Sequence, residues 1–226
     1  MHVLAIDTAT AATAVAVVRF TADGRPHPLA QRRHVDPRAH GERLAPLIRQ
    51  VLGQAGARPE EMAAVVVGDG PGPFTGLRVG LATAAAMAQA LGVPAYGACS
   101  LDGLGAATAG VGGPVLVATD ARRREIYWAR YEDGQRVTDP AVDRPADVVG
   151  ALAGQGVRIG YGEGALRYRD VLGVPVAEDP VYPDPVVLAA VAYDRVAAGA
   201  PGEALVPRYL RRADAAVPGK SKPVTR

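Results

Sequence analysis

A loop rich in glycine and proline is the part of this sequence with the clearest potential for chemistry. It reads Gly68-Asp69-Gly70-Pro71-Gly72-Pro73-Phe74-Thr75-Gly76-Leu77-Arg78 and joins an apolar segment to a helix. Such loops present backbone N–H groups at a helix N-terminus, where they can bind phosphate. No Gly-Lys-Ser/Thr ending of a Walker loop follows. The alternative is therefore a tight turn, with Thr75 as the N-cap of the helix.

The helix behind this loop carries no ionisable side chain from Val79 to Leu91. A helix at a protein surface normally presents a charged face to water, so a helix without one is usually covered on both sides. We expect a second protein to cover it, because its small side chains allow another helix to approach closely. Burial inside the monomer, under the helix from Leu44 to Ala55, is the alternative.

Histidine and cysteine provide little for a metal site. A metallopeptidase needs paired histidines and a carboxylate around a divalent ion. His40 is followed one helical turn later by Leu44, and His34 precedes the helix, so no metal site is predicted. Cys99 is the single cysteine, and it is expected to be a buried thiol in a reducing compartment.

Two basic segments could contact phosphate. Arg122, Arg123 and Arg124 form the densest basic run of the body, where a solvated hairpin turn is the favoured alternative. Nearby aromatic residues could stack on bases, but alternation along a strand should turn Trp128 and Tyr127 to opposite faces, so at least one packs in the core. The tail could contact a nucleic acid or an acidic partner, or be a solubilising end; its basic residues are Arg208, Arg211, Arg212, Lys220, Lys222 and Arg226.

Composition is that of a globular protein. The chain has 226 residues, 49% of them hydrophobic, with a net charge of +2, which by itself does not indicate nucleic-acid binding. Asp7 comes too early for the apolar region of a signal peptide. The uncharged run from Val79 to Cys99 contains Gln89, Gly92 and Pro94, which favours a packed helix and strand over a membrane span. We expect a cytoplasmic protein that does not enter a membrane.

The elements that must position these residues form two related halves. Val3-Leu4-Ala5-Ile6-Asp7 and Val115-Leu116-Val117-Ala118-Thr119-Asp120 are both apolar strands that end in an acid and lead through a short turn to a second strand. The predicted strands are Val3–Ile6, Ala12–Phe20, Leu29–Val35, Ala63–Val67, Val93–Tyr96, Val115–Asp120, Ile126–Tyr131 and Val157–Gly160. The predicted helices are an Asp36-capped helix through Pro46 to Ala55, Leu77–Leu91, Leu101–Thr108, Ala146–Ala153 and Pro185–Ala198. The predicted divisions are an N-terminal half (1–100), a C-terminal half (101–205) and a basic tail (206–226) that returns to the N-terminal half.

Together these features resemble the TsaB (YeaZ-like) family, a relative of TsaD. The resemblance covers nearly the whole chain and is carried by the Asp7-Thr8-Ala9-Thr10 turn, the loop from Gly70 to Gly80, Asp120-Ala121-Arg122 with Glu125-Ile126-Tyr127-Trp128-Ala129, and Pro207-Arg208-Tyr209-Leu210-Arg211. It implies an α/β protein with the actin-like ATPase (ASKHA) fold, in which two αβ halves with mixed sheets enclose a cleft.

The resemblance also implies a function. The expected role is that of a noncatalytic scaffold in making threonylcarbamoyladenosine beside the anticodon of tRNAs that read codons starting with A. A TsaD-type subunit would be catalytic and a TsaE-type ATPase would assist, with a homodimer in isolation and tRNA bound through the complex. The predicted partner interface comprises His40, Leu44, Leu47, Val79, Thr83, Ala85, Ala86 and Gln89. The alternative is a self-sufficient actin-like ATPase or sugar kinase.

The nucleotide-type turns of such a fold are degenerate in this sequence. An active kinase or ATPase needs backbone amides to approach phosphate, usually with glycine just after the first acid. Here Thr8 follows Asp7, and Ala121 and Arg122 follow Asp120, so side chains obstruct the approach. We expect no tightly bound cofactor or metal, and ATP or ADP only at the interface of the complex. The degenerate turns comprise Asp7, Thr8, Thr10, Gly72, Thr75 and Asp120.

Overall fold

The computed structural model describes residues 1–211, which form two α/β halves. The first half is built on five strands: β1 (His2–Asp7), β2 (Ala12–Phe20), β3 (Pro26–Val35), β4 (Met62–Gly70) and β5 (Ala95–Cys99). They form one sheet with the order β3-β2-β1-β4-β5. The first three strands pair antiparallel, whereas β4 lies parallel to both β1 and β5. The sheet is therefore mixed.

Helices cover both faces of this sheet. Residues of β1 and β4 are apolar in unbroken runs because both sides of each strand are buried. One face packs under α1 (His40–Ala55) and α2 (Phe74–Leu91), and the other under α7 (Pro185–Val191) and α8 (Tyr193–Ala197). The last two helices come from the end of the chain, so the first half is completed by residues distant in sequence.

The second half repeats the hairpin and the parallel strand of the first. Its sheet has the order β10-β6-β7-β8, with β9 also paired to β7. The hairpin β6/β7 is antiparallel and β10 lies parallel to β6, as β4 lies parallel to β1. The elements are β6 (Pro114–Asp120), β7 (Ile126–Glu132), β8 (Gln135–Arg136), β9 (Ala141–Asp143), β10 (Ile159–Tyr161), α3 (Asp102–Gly105), α4 (Pro145–Ala151), α5 (Glu163–Arg167) and α6 (Arg169–Leu172); short 3₁₀ turns lie at Pro59–Glu61 and Ala106–Thr108.

Several predicted element boundaries were wrong for identifiable reasons. The helix expected from Asp36 begins at His40, because the Asp36 side chain instead accepts from the Arg38 N–H in a separate turn. Pro46 lies in the first turns of α1 without ending it. Thr75 is not an N-cap, since α2 begins at Phe74 with Pro73 in the capping position. Near the end of the chain, one predicted helix is divided at Ala192 into α7 and α8.

Glycine allows the first turn, Asp7 to Ala11, to pack directly on the loop and on α2. A Cβ atom at Gly72 would lie 2.3 Å from the Ala9 carbonyl oxygen, and one at Gly76 would lie 2.5 Å from the Thr8 carbonyl oxygen. A Cβ atom at Gly80 would lie 2.3 Å from the Thr8 hydroxyl oxygen. These three glycines are spaced four residues apart. The spacing lets the chain at Thr8 and Ala9 lie against the loop and the first turns of α2.

Residues Val206 to Arg211 lie across both halves. Arg208 forms two hydrogen bonds to the carboxylate of Asp69, at 3.2 and 3.3 Å, where β4 has a bulge beside β5. Tyr209 stacks on Phe74 with ring centroids 4.7 Å apart. Arg211 pairs with Glu125 and donates to the Ala121 carbonyl in the second half. The predicted tail residues Arg212, Lys220, Lys222 and Arg226 lie outside the described residues.

Among residues 1–211, no helix combines the length and apolar character needed to cross a lipid bilayer.

The glycine contacts predict opposite effects for two helical Gly→Ala substitutions. Gly76→Ala should reduce the free energy of unfolding by about 2 kcal/mol, because its Cβ atom meets backbone that cannot rotate away. Gly53→Ala in α1 has open space around the new Cβ atom and should stabilise the chain by about 0.5–1 kcal/mol. Chemical denaturation of both variants measures the two values. Equal effects of the same sign would contradict the packing described here.

Candidate functional site

Asp7 lies at the end of β1, where an actin-like enzyme would handle metal and phosphate, but its carboxylate is bound by the chain itself. Oδ1 accepts from the Ala9 N–H at 3.0 Å, and Oδ2 accepts from the Ser100 hydroxyl at 2.6 Å. Burial raises the pKa of Asp7 from 3.8 to about 6, although these hydrogen bonds act in the opposite direction. The carboxylate therefore caps its own turn and joins β1 to the residue after β5.

The two threonines of this turn bind different parts of the chain. Thr10 accepts from the Ala12 N–H at 3.2 Å, a local bond within the turn. The Thr8 hydroxyl instead donates to the Gly76 carbonyl at 2.8 Å, across to α2. Thr8 is completely buried by this contact. The first turn is thereby fastened to α2, and no open space separates it from the loop at Gly72.

The second turn follows Asp120 and has an unusual backbone. Arg122, Arg123 and Arg124 have φ values of 61°, 54° and 62°, the left-handed region that glycine normally occupies. Each such residue costs on the order of 1–2 kcal/mol. Asp120 compensates in part, because its carboxylate accepts from the Arg122 N–H and pairs with the guanidinium groups of Arg122 and Arg167. The predicted hairpin turn is present, with its arginine side chains exposed.

Glu163 lies between the two acid turns, and sequence reasoning missed it. Burial, and after it the nearby Asp120 carboxylate, raise its pKa from 4.5 to about 7. The backbone N–H groups of Ala11 and Asp120, one from each turn, face its carboxylate and act in the opposite direction. A signal was available in the sequence: Gly68-Asp69-Gly70 ends β4, and Gly162-Glu163-Gly164 follows β10 at the equivalent place in the second half.

The acidic side chains of the two turns thus find their hydrogen-bond and ion-pair partners within the chain itself. Gly72 packs against Ala9, Glu163 lies between the turns, and the Tyr127 hydroxyl donates to the Gly72 carbonyl at 3.4 Å. Within residues 1–211, no group of three or more histidine, cysteine, aspartate or glutamate side chains is arranged to hold a metal ion. The arrangement favours a rigid joint between the halves over a cleft that opens for a ligand.

Three residues of the predicted partner interface are buried in the chain itself. His40, Leu44 and Leu47 expose 6%, 1% and 8% of their surface, because α1 turns them toward the sheet. The Nδ1 atom of His40 lies 2.7 Å from the Thr13 hydroxyl of β2, and burial lowers the pKa of its imidazole. These three side chains are therefore not on an exposed surface of this chain. Helical spacing identified an apolar face but not what it packs against.

The other predicted interface residues lie on or beside the free face of α2. Ala85, Ala86 and Gln89 are exposed, and Val79 and Thr83 are partly exposed beside them. The face also borders a groove of about 740 Å³ between α2 and residues 203–209. The exposed alanines Ala82 and Ala90 extend it along the helix. The long helix therefore presents a nearly uncharged, small-residue surface to solvent, which we call the α2 face.

The aromatic residues of the second hairpin are structural in the chain. Tyr127 and Trp128 lie on opposite faces of the sheet and are both buried, so neither is available as an open stacking platform. Trp128 donates to Asp143, and Tyr131 donates to Asp102 at 2.6 Å. Cys99 is also buried, and desolvation raises the pKa of its thiol to about 12, as expected for an unreactive thiol.

Comparison with known proteins identifies the family. A family model described as TsaD, tRNA N6-adenosine threonylcarbamoyltransferase, matches residues 34–170. The Escherichia coli tRNA threonylcarbamoyladenosine biosynthesis protein TsaB is 34% identical over 200 residues, which cover 79% of this chain and 84% of that protein. The chain belongs to the TsaB (YeaZ-like) family.

Other relatives show how much of the chain is shared and which fold it has. An uncharacterized Mycobacterium leprae protein is 48% identical over 99% of this chain, which spans only 56% of that protein's length. The structure of YeaZ from Pseudomonas aeruginosa has a TM-score of 0.75 and 28% identity, and covers 92% of this chain and 99% of its own. Component A of an Acidaminococcus fermentans dehydratase shares the fold alone, with a TM-score of 0.51 and 14% identity. The predicted actin-like fold is confirmed.

The raised pKa of Glu163 predicts how the stability of the chain depends on pH. Its pKa is about 7 in the folded chain against 4.5 for the unfolded one, so the folded chain binds this proton more tightly. The free energy of unfolding should therefore fall as pH rises from about 4.5 to about 7. Glu163→Gln cannot ionise and should be more stable than the parent by roughly 2 kcal/mol at pH 8, with little difference at pH 4.

Denaturation between pH 4 and pH 8 measures this difference. The control is Glu178→Gln, which makes the same change at an exposed carboxylate paired with Arg169. It should change stability little at either pH. If Glu163→Gln destabilises the chain equally at all pH values, the carboxylate is not strained by burial.

Proposed function

We propose that this chain is a noncatalytic partner subunit in the synthesis of threonylcarbamoyladenosine beside the anticodon of tRNAs that read codons starting with A. It would act with a TsaD-type catalytic subunit and a TsaE-type ATPase, in the cytoplasm, and reach tRNA through the complex. The similarity to the Escherichia coli tRNA threonylcarbamoyladenosine biosynthesis protein and the match to the TsaD family model support this pathway.

The α2 face is the observation that carries the partner role. An 18-residue helix exposes a row of small residues while its other side, including Gly76, Leu77, Gly80, Leu81 and Ala84, is buried in the chain. A helix face of small apolar side chains gains free energy when a partner removes its apolar area from water. Small side chains let a second helix backbone approach closely. A homodimer in isolation would use the same face.

The noncatalytic role is supported by what occupies the acid turns. Asp7 is bound by Ala9 and Ser100, and Thr8 fills the place of the glycine that a phosphate-binding turn needs. Glu163 supplies a carboxylate where the two turns meet. ATP or ADP would therefore bind only at the interface with the catalytic subunit. The alternative, a self-sufficient ATPase or sugar kinase, has support from the fold but not from these turns.

A charge placed on the α2 face should prevent assembly. Ala85→Glu puts a carboxylate at the exposed centre of this face, where a helix partner would have to bury it without a counter-ion. We expect binding of the TsaD-type subunit to weaken at least 100-fold and formation of threonylcarbamoyladenosine to fall with it. The isolated variant should retain the melting temperature of the parent. Calorimetric titration and a reconstituted tRNA modification assay measure the two losses.

Ala197→Glu provides the matched control. Ala197 is an exposed helical alanine on α8, which packs on the opposite side of the sheet from α2. It should leave both binding and modification unchanged. Two results argue against the proposal: Ala85→Glu assembling like the parent, or tRNA modification that proceeds equally well when the chain is omitted.

A further inference from the structure

A second cavity, of about 330 Å³, lies where the two halves and the last described residues meet. We call it the arginine pocket. Its volume is at the lower end of the range of small-molecule sites, ~300–1,000 Å³. Three separate segments form it: the Gly/Pro loop, the turn after Asp120, and the end of the described chain. Its lining comprises Gly72, Pro73, Phe74, Ala121, Arg122, Arg123, Tyr127, Tyr209, Leu210 and Arg211.

The charge of this lining selects an anion. Arg122, Arg123 and Arg211 contribute guanidinium groups, and within residues 1–211 no aspartate or glutamate is among the lining residues. Arg122 and Arg211 also pair with Asp120 and Glu125. A guanidinium group has five N–H donors in a planar fork, so one guanidinium can hold a carboxylate and also contact a phosphate oxygen.

The remaining walls provide an apolar surface beside that anion. Phe74 already stacks on Tyr209 and holds the Arg78 guanidinium 3.8 Å from its ring centroid, so a base would pack against Tyr209 and Leu210 and not on the Phe74 ring. Tyr127 and Leu210 complete the apolar wall. α2 begins at Phe74 without a side-chain cap, so the positive end of an 18-residue helix borders the cavity. Phosphate next to an aromatic base is the ligand chemistry that matches this combination.

The arginine pocket lies next to the α2 face. Tyr209 and the first turns of α2 separate it from the groove along the helix, and Tyr209 lines both cavities. A subunit bound on the α2 face would therefore stand at the edge of the pocket. A nucleic acid that follows the boundary between the two proteins would pass the arginines.

We propose that the arginine pocket is an RNA contact, which holds one phosphate and an adjoining base of the tRNA substrate at the edge of the assembled complex. This inference rests on the proposed function, since it takes tRNA as the nucleic acid. It assigns a contact to tRNA that the chain makes directly. The two basic segments of the sequence, the Arg122–Arg124 run and the end of the chain, act as one site through Arg122, Arg123 and Arg211.

The test compares two neighbouring arginines of the same turn. Arg123 lines the pocket and Arg124 does not, although both are exposed and both have positive φ. Each Arg→Ala variant of the full chain is assembled with its TsaD-type subunit, and assembly is verified by size-exclusion chromatography. Binding of fluorescent tRNA is then measured by anisotropy at several salt concentrations.

We expect Arg123→Ala to weaken tRNA binding about three- to tenfold and to lower the slope of log affinity against log salt by about one. Arg124→Ala should change affinity less than twofold. Arg123→Lys keeps the charge, so it should preserve the salt slope while losing part of the affinity. Equal losses for Arg123→Ala and Arg124→Ala would overturn the proposal, because only general charge would then matter.

A competition experiment with a mononucleotide distinguishes binding of RNA from binding of a free nucleotide. AMP should compete with tRNA only at concentrations far above the RNA affinity; strong AMP binding that depends on Arg123 would identify a small-molecule site and overturn the proposal. The experiments can reject the proposed function and the RNA contact independently. If omission of the chain leaves tRNA modification unchanged, the partner role is lost. If the chain is required but Arg123→Ala binds tRNA like the parent, only the RNA contact is lost.

Discussion

Close packing of the first turn on α2 is the constraint on which the rest of the structure depends. Cβ atoms at Gly72 and Gly76 would meet the backbone of Ala9 and Thr8, one at Gly80 would meet the Thr8 side chain, and the Thr8 hydroxyl donates to the Gly76 carbonyl. Backbone atoms cannot yield as side chains can, so the contacts at Gly72 and Gly76 fix the position of the helix against the turn. In the same contact, the first turn fills the space next to the glycine loop.

This packing connects the filled first turn to the exposed α2 face. In a phosphate-binding loop, glycine lets a ligand approach the backbone. Here glycine lets another part of the same chain lie against the backbone in place of a ligand. The Glu163 carboxyl group lies between the two acid turns. The helix is thereby held with Leu77, Leu81 and Ala84 inside and its small residues outside. In the proposed function, a fold typical of nucleotide enzymes serves as a rigid support for a helix face.

Much of this was predictable because it depends on neighbours in sequence. Unbroken apolar runs identified β1, β4 and β6, and the repeated strand, acid and hairpin identified the two halves. Other features depend on distant contacts. His40 packs because Thr13 of β2 lies beside it, and Thr8 bonds to a carbonyl 68 residues away. Arginine at three left-handed positions has no local signal, since glycine or asparagine is the usual choice there. Glu163 needed the second Gly-acid-Gly segment to be aligned with the first.

Calorimetric titration of the isolated chain tests the central claim, that the glycine loop positions a helix for another protein and does not bind phosphate. One titration uses Mg-ATP and the other uses the TsaD-type subunit. The structure predicts no heat of binding for Mg-ATP at micromolar concentrations and saturable binding of the subunit. Micromolar binding of Mg-ATP by the chain alone, without binding of the subunit, would contradict the account.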